Sequence, residues 1–418
     1  MASDPSRITL PSDVSVGVTS LGRAASSATI VPVLGAVSLC HLLNDLMQSL
    51  LPAAYPVLHR DFALSFSQIG LLSLVYQITA SILQPLVGLF TDHRPQPYSL
   101  PAAMLASLTG LLTLAFGPDY HTLLFGAALL GLGSSIFHPE SSRIARLASG
   151  GAHGLAQSVF QVGGNVGSAL GPLAAAYVVL PRGQHGLAWA TPVGLCGVAI
   201  MSWLSRWYRA AGHATRSAMH VVARHPAVSN SQVWRAMAVL VMLLFSKYIY
   251  LASITNYYPF YLMERFGLTA RTAQLYQFVF FAAVAIGTIV GGPIGDRIGR
   301  KRVIWVSILG VLPFTVALPH VGLGATVVLS VIIGAVISSA FPAIVVYAQE
   351  LIPGRTGMVS GVFFGLAFGI GGIGAALLGG LADRAGIGFV YQLCAFLPAI
   401  GLLTALLPSV DHPAHGQA

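Results

Sequence analysis

Charge is scarce in this chain: only 8% of its 418 residues are Asp, Glu, Lys or Arg, where a soluble domain carries about a quarter. Acids are the rarest, 12 against 21 Lys and Arg. Cysteine is almost missing too. Cys40, Cys196 and Cys394 stand apart in apolar stretches with no CxxC pair, which excludes a disulfide framework and a zinc-finger signature. Neither HExxH nor GxSxG occurs, which removes the commonest hydrolase signatures. What is present is apolar surface: 55% of residues are hydrophobic and the mean hydropathy is +0.78. The 46 Gly and 24 Pro lie inside apolar runs, so neither disorder nor collagen accounts for them. Water is therefore not the main solvent, and the chain reads as an all-α polytopic membrane protein.

A helix needs about 20 apolar residues to cross the hydrocarbon core. Twelve spans are expected, at 31–58, 66–91, 99–117, 120–148, 154–180, 186–206, 235–262, 271–294, 303–320, 323–350, 356–381 and 388–408. No apolar core precedes the first span, so a cleavable signal peptide is not expected; residues 1–28 read as a disordered cytoplasmic tail. With the N-terminus inside, fifteen Lys and Arg fall on the cytoplasmic side and five (Arg60, Arg182, Arg265, Arg271, Arg384) outside, while Lys247 lies within a span. The net charge of +9 is thus a topology signal rather than a nucleic-acid surface. Residues 207–234 hold three Arg and three His with no acid, as suits a cytoplasmic linker at an anionic lipid surface. The domain expectation is a six-helix half at 29–206, that linker, a second half at 235–408 and a cytoplasmic tail at 409–418.

The halves read as a repeat. Gly88-Leu89-Phe90-Thr91-Asp92 and Gly292-Pro293-Ile294-Gly295-Asp296 lie 204 residues apart, as do Ser134-Ser135-Ile136-Phe137 and Ser338-Ser339-Ala340-Phe341. Gly163-Gly164 and Gly371-Gly372 correspond within a few residues of that offset. Repeated halves place a substrate site between them near the midplane, open alternately to either side.

The run from Gly292 through Asp296, Arg297, Gly299 and Arg300 to Arg302 resembles the loop motif of the major facilitator superfamily. Its N-terminal copy keeps Gly88 and Asp92 but then departs to His93-Arg94-Pro95-Gln96. The resemblance implies a twelve-helix fold in which this loop gates the cytoplasmic side. Gly379-Gly380-Leu381-Ala382-Asp383-Arg384 mimics the motif on the outer side and is read as a turn. Gly163, Gly167 and Gly171-Pro172 are similar to the motif typical of antiporters in that superfamily; ordinary helix packing is the plainer account of the same spacing. His41-Leu42-Leu43-Asn44-Asp45, Phe137-His138-Pro139-Glu140-Ser141-Ser142-Arg143, Phe245-Ser246-Lys247-Tyr248 and Tyr347-Ala348-Gln349-Glu350-Leu351 further resemble its proton-driven exporters of phosphonate antibiotics. That implies a bacterial inner-membrane antiporter, monomeric, with a small-molecule drug and protons as its ligands, membrane lipid as its surroundings and no cofactor beyond the proton gradient.

Ionisable groups at bilayer depth are functional candidates by default. His41, Asn44, Asp45 and Gln48 share one helical face, and Asp45 lies about 22 Å along the helix from Ile30 at ~1.5 Å per residue. Asp45 is the expected proton carrier, with a static pair to Lys, Arg or His as the alternative and His41 as its partner. Glu140 is a second proton site or the neutraliser of Arg143, with His138 and Pro139 beside it. Lys247, facing with Tyr250, either holds an anionic substrate or stands paired with Asp45. Gln157, Gln161 and Asn165 form a neutral stripe that bonds substrate or neighbouring helices. Glu350 reads as a gate or anchor. Protonating the carboxylate weakens its hold on the cation, so proton and anion oppose each other. The rival readings are a symporter importing a small organic anion and an intramembrane enzyme.

Overall fold

The computed structural model describes residues 29–93, 96–149, 153–211, 229–352 and 356–408. The expected tails at 1–28 and 409–418 and the centre of the linker, 212–228, lie outside the described residues. All described regular elements are helical: α1 (Val31–Ala53), α2 (Tyr55–Phe62), α3 (Phe66–His93), α4 (Ser99–Phe116), α5 (Tyr120–Leu147), α6 (His153–Ala174), α7 (Leu180–Arg182), α8 (Thr191–Ala211), α9 (Asn230–Phe266), α10 (Ala270–Ile298), α11 (Arg300–Leu309), α12 (Leu312–Ala317), α13 (Leu323–Ile337), α14 (Ala340–Leu351), α15 (Thr356–Ala385) and α16 (Ile387–Cys394), with a closing 3-10 stretch at Leu397–Leu406.

These elements make twelve spans. Helix is obligatory here because hydrocarbon offers no partner for a free backbone N–H or C=O. The apolar run Val159–Arg209 is 51 residues long. At ~1.5 Å per residue it is far too long for one crossing of about 30 Å. It turns back at Gly183, whose φ of 64° and ψ of −156° suit glycine alone. The span expected at 186–206 is accordingly entered through a 3-10 stretch at Gly183–Ala190 that leads into α8. Where spans fracture without reversing, proline is at hand: Pro52 in the last turn of α1 and Pro56 in the first turn of α2, Pro313 at the start of α12, Pro342 in the first turn of α14, Pro398 in the last 3-10 stretch. Each lacks the N–H that would continue the ladder and crowds the preceding turn. α5 continues as helix through Pro139. The linker's described flanks are helical, since α8 runs to Ala211 and α9 begins at Asn230, where Ser229 and Gln232 form a capping box.

The offset seen in the sequence recurs in the helix starts: α10 begins 204 residues after α3, at Ala270 against Phe66. Helices before the linker meet helices after it along two seams, α3 against α15 and α6 against α10. One seam is fastened at the Arg-poor end in a way the sequence reading missed. Gly379–Arg384 is not a turn but the last helical residues of α15, and Asp383 reaches across to the start of α3. Its carboxylate accepts hydrogen bonds from the backbone N–H of Phe66 at 2.9 Å and of Ser67 at 2.8 Å, and from the Ser67 hydroxyl. An acid from one set of helices thus caps a helix of the other, where the α3 dipole is positive. Nearby, Gln274 donates to the Ala53 carbonyl at 2.8 Å and Ser73 bonds Asn256. Losing a helix cap costs about 0.5–2 kcal/mol. Asp383→Ala is therefore expected to raise amide hydrogen exchange at residues 66–69 several-fold; unchanged protection there would show that the cap holds nothing closed.

At the same end Asp119, between α4 and α5, caps α5. The Thr122 backbone N–H, at 2.8 Å, and its hydroxyl, at 3.0 Å, hold the Asp119 carboxyl below the usual carboxylate range.

Candidate functional site

α1 and α6 pack unusually closely because glycine lines their contact. A methyl group on Gly163 would strike the Ser38 carbonyl, on Gly167 the Leu42 carbonyl, and on Gly171 the Ser49 hydroxyl. The antiporter-like stripe is therefore, physically, the α1–α6 seam. Gly164 differs: its missing methyl would meet the His41 ring and, at 2.8 Å, Asp45 Oδ2. Glycine there is what lets a histidine and a carboxylate fit between two helices.

His41 is 1% exposed and stacks on Phe160 with ring centroids 4.0 Å apart. Its Nδ1 lies 2.7 Å from the Phe160 carbonyl. A carbonyl only accepts, so Nδ1 carries the proton of the neutral ring and Nε2 keeps its lone pair. That Nε2 faces Asp45 Oδ2 at 3.4 Å. His138, from α5, repeats the arrangement: Nδ1 lies 3.0 Å from the Ser134 carbonyl, and Nε2 lies 3.6 Å from Asp45 Oδ1. The rings of His41 and His138 meet edge to face at 5.3 Å. Each carboxylate oxygen thus confronts an imidazole nitrogen whose lone pair points at it. Two acceptors so aimed repel unless a positive charge lies between them, so the cluster is built to take up protons. Asn44 steadies the acid, its Nδ2 donating to Asp45 Oδ1 at 3.0 Å.

The cluster opens on a cavity of about 110 Å³. His41, Asp45, His138 and Gln161 form one wall; Tyr248, Phe341, Phe364, Ala367 and Phe368 form the other. One wall comes from α1, α5 and α6, the other from α9, α14 and α15, so the cavity lies between the two sets of helices.

The remaining candidates fall around this cavity. Lys247 is buried, 4% exposed, and is not on the cavity wall. Its Nζ lies 5.5 and 5.6 Å from the ring centroids of Tyr248 and Phe341, and 3.5 Å from the Ser338 carbonyl. The ammonium thus sits one aromatic layer behind the cavity, and among the described residues Asp45 pairs with histidines rather than with Lys247. Tyr250 is buried away from the cavity. Gln48 joins helices, its Oε1 accepting from Tyr76 at 2.6 Å and Ser134 at 3.2 Å. Arg143 pairs with the buried Glu140 at 3.2 Å. Asn165 is half-buried and not on the cavity wall. At the Arg-rich end Gly299, with φ of 90°, separates α10 from α11, and Arg300 pairs with Glu350 across to α14. The side chains of Gln157, Asp92, Asp296 and Arg297, like Gly88 and Gly292, lie outside the described residues. Sequence reasoning missed the aromatic wall, Gly164 and Asp383. Phe364 and Phe368 stand at i, i+4, but an aromatic pair in an apolar helix gives no contrast.

Twelve spans in two sets, meeting at an ionisable cavity mid-way along the helices, define a membrane transporter and not an enzyme. The chain belongs to the Major Facilitator Superfamily, whose sequence profile matches residues 37–375. It is 54% identical to the fosmidomycin resistance protein of Escherichia coli (strain K12), over 94% of this chain and 97% of that one. It is 42% identical to the uncharacterized MFS-type transporter YfnC of Bacillus subtilis (strain 168), over 91% of this chain and 94% of that one. Among solved structures, the chain shares the fold of the nucleoside transporter NupG, at a TM-score of 0.69 and 13% identity, covering 90% of this chain and 100% of that one. A bacterial homologue of the human lysosomal transporter Spinster, inward-facing and occupied, gives a TM-score of 0.67 at 14% identity, covering 91% of this chain and 94% of that one.

Proposed function

We propose that this chain exports fosmidomycin and related small phosphonate anions across a bacterial inner membrane in exchange for protons. It works as a monomer with both termini in the cytoplasm, and its two six-helix halves rock about the cavity between them. The observation that carries this reading is the placement of Asp45 between two inward-facing imidazoles on the cavity wall. The likeness to the fosmidomycin resistance protein supports the cargo. The excess of Lys and Arg at the end that includes Gly299 supports the orientation.

Asp45, with His41, takes the coupling proton, and Glu140, two residues beyond His138 on α5, backs it. The phosphonate is drawn to Lys247, a cation with no carboxylate beside it among the described ion pairs, once Tyr248 and Phe341 turn aside. His138, Gln161, Asn44 and Asn165 offer hydrogen bonds, and Arg143, paired with Glu140, is left with net positive charge when Glu140 takes a proton. A proton on the cluster and an anion in the cavity alter each other's affinity reciprocally, which is what coupling requires.

The test is a resistance panel in an efflux-deficient host, with phosphonates beside lipophilic cations. Protection against phosphonates alone is expected; protection mainly against lipophilic cations rejects the cargo. Inverted vesicles give the direction: phosphonate must accumulate when their lumen is acid. Lys247→Met separates binding from folding. Burying a charge without a carboxylate partner is costly, and an apolar chain of similar length removes that cost. The variant is expected to lose resistance while its Tm holds or rises. A large fall in Tm would give Lys247 a structural role instead.

A further inference from the structure

We infer that His41, Asp45 and His138 form a binding site for a divalent transition-metal ion, of which zinc is the best fit. This rests on the cluster's geometry alone and stands whether or not the proposed cargo is right. The ligand atoms of the three residues lie within 4.8 Å of one another. Zinc holds nitrogen and oxygen ligands about 2.0–2.1 Å away in a tetrahedron, whose ligand-to-ligand edge is then about 3.3–3.4 Å. Each imidazole Nε2 is already near that edge from one carboxylate oxygen, His41 at 3.4 Å from Oδ2 and His138 at 3.6 Å from Oδ1, so an ion bridged by both oxygens, or a small rotation of the carboxylate toward one, brings the three ligands together.

The outer shell is also in place. Metal-ligating histidines almost always donate their other N–H to a carbonyl or carboxylate, which fixes the ring and frees the ligating lone pair. His41 donates to the Phe160 carbonyl at 2.7 Å and His138 to the Ser134 carbonyl at 3.0 Å. A divalent ion thus supplies the positive charge between facing acceptors that a proton otherwise must. The ligand set, two imidazoles and a carboxylate, suits zinc, cobalt, nickel or copper and not calcium or magnesium, which take oxygen. The cavity beside the cluster leaves a fourth position for water. An occupied site competes with protons for the same lone pairs.

The experiment uses the full chain purified without a histidine tag and stripped of metal, with no drug and no proton gradient. Zinc titration by calorimetry is expected to show a micromolar site that His41→Asn, His138→Asn and Asp45→Asn each weaken by more than tenfold. Losing an outer-shell partner alone already costs 10–100-fold. His59→Asn and His185→Asn are expected to leave it unchanged. Cobalt bound to the unaltered chain is expected to give the intense visible absorption of a tetrahedral site, a readout that no variant's folding can disturb. A faint octahedral spectrum, no binding, or affinity unaltered in well-folded cluster variants would overturn the inference.

Discussion

Asp45→Asn is expected to reduce phosphonate resistance to that of the host without the transporter, while protein level and helical content stay normal. The argument is one of shape against charge. Asparagine fills the same volume, and its Nδ2 can donate to an imidazole Nε2 that now faces Asp45 at 3.4 or 3.6 Å. The seam between α1 and α6 therefore has no reason to open. What the amide cannot do is gain or lose a proton or balance a charged imidazole, so neither His41 nor His138 keeps the negative partner that holds a proton in the cluster. Downhill movement of substrate is expected to survive where pH-driven accumulation in vesicles does not. His41→Asn and His138→Asn should each fall between, since one imidazole then remains opposite the acid. Resistance that persists in Asp45→Asn cells would place the coupling elsewhere, with Glu140 the next acid to examine.

Much of this was legible in the sequence, and the part that was not has a definite cause. The spans came through because apolar length is a one-dimensional property: Gly183 and the prolines that break the helices are readable where they stand. The polar face of α1 was equally plain, since His41, Asn44, Asp45 and Gln48 interrupt an apolar helix at helical spacing. Spacing does not say which neighbour meets which residue. The sequence offered Lys247 as a partner for Asp45 by charge alone. The fold gives Asp45 two histidines, because α5 and α1 lie side by side while Lys247 stands behind an aromatic wall to which its own helix contributes Tyr248. Asp383 was discounted for a related reason. Gly379–Arg384 mimics a loop motif at the wrong end of the molecule, yet the helix start that its acid caps is more than 300 residues away in sequence. Contacts of that range leave no local pattern. The loop motif itself is visible only in part, through the break at Gly299 and the Arg300–Glu350 pair.

Gly164→Ala carries the second large effect, and it tests the packing instead of the chemistry. Alanine is the better helix former by about 1 kcal/mol, so propensity alone predicts a sounder α6. The added methyl has no room, however, because it meets the His41 ring and lies 2.8 Å from Asp45 Oδ2. Either α1 and α6 separate or the histidine and the acid leave their places, and overpacking of this kind costs about 1–3 kcal/mol. Both routes break the alignment of Nε2 with the carboxylate, so pH-driven efflux is expected to fall by roughly five- to 150-fold, the factor those energies imply. Gly163→Ala and Gly167→Ala press on backbone carbonyls of α1, so they should lower Tm as well as transport. Gly388→Ala, in α16, meets nothing within 4 Å and should leave both unchanged. A Gly164→Ala protein that transports normally would mean that the helices yield easily there, and that the contact of His41 with Asp45 does not set the rate.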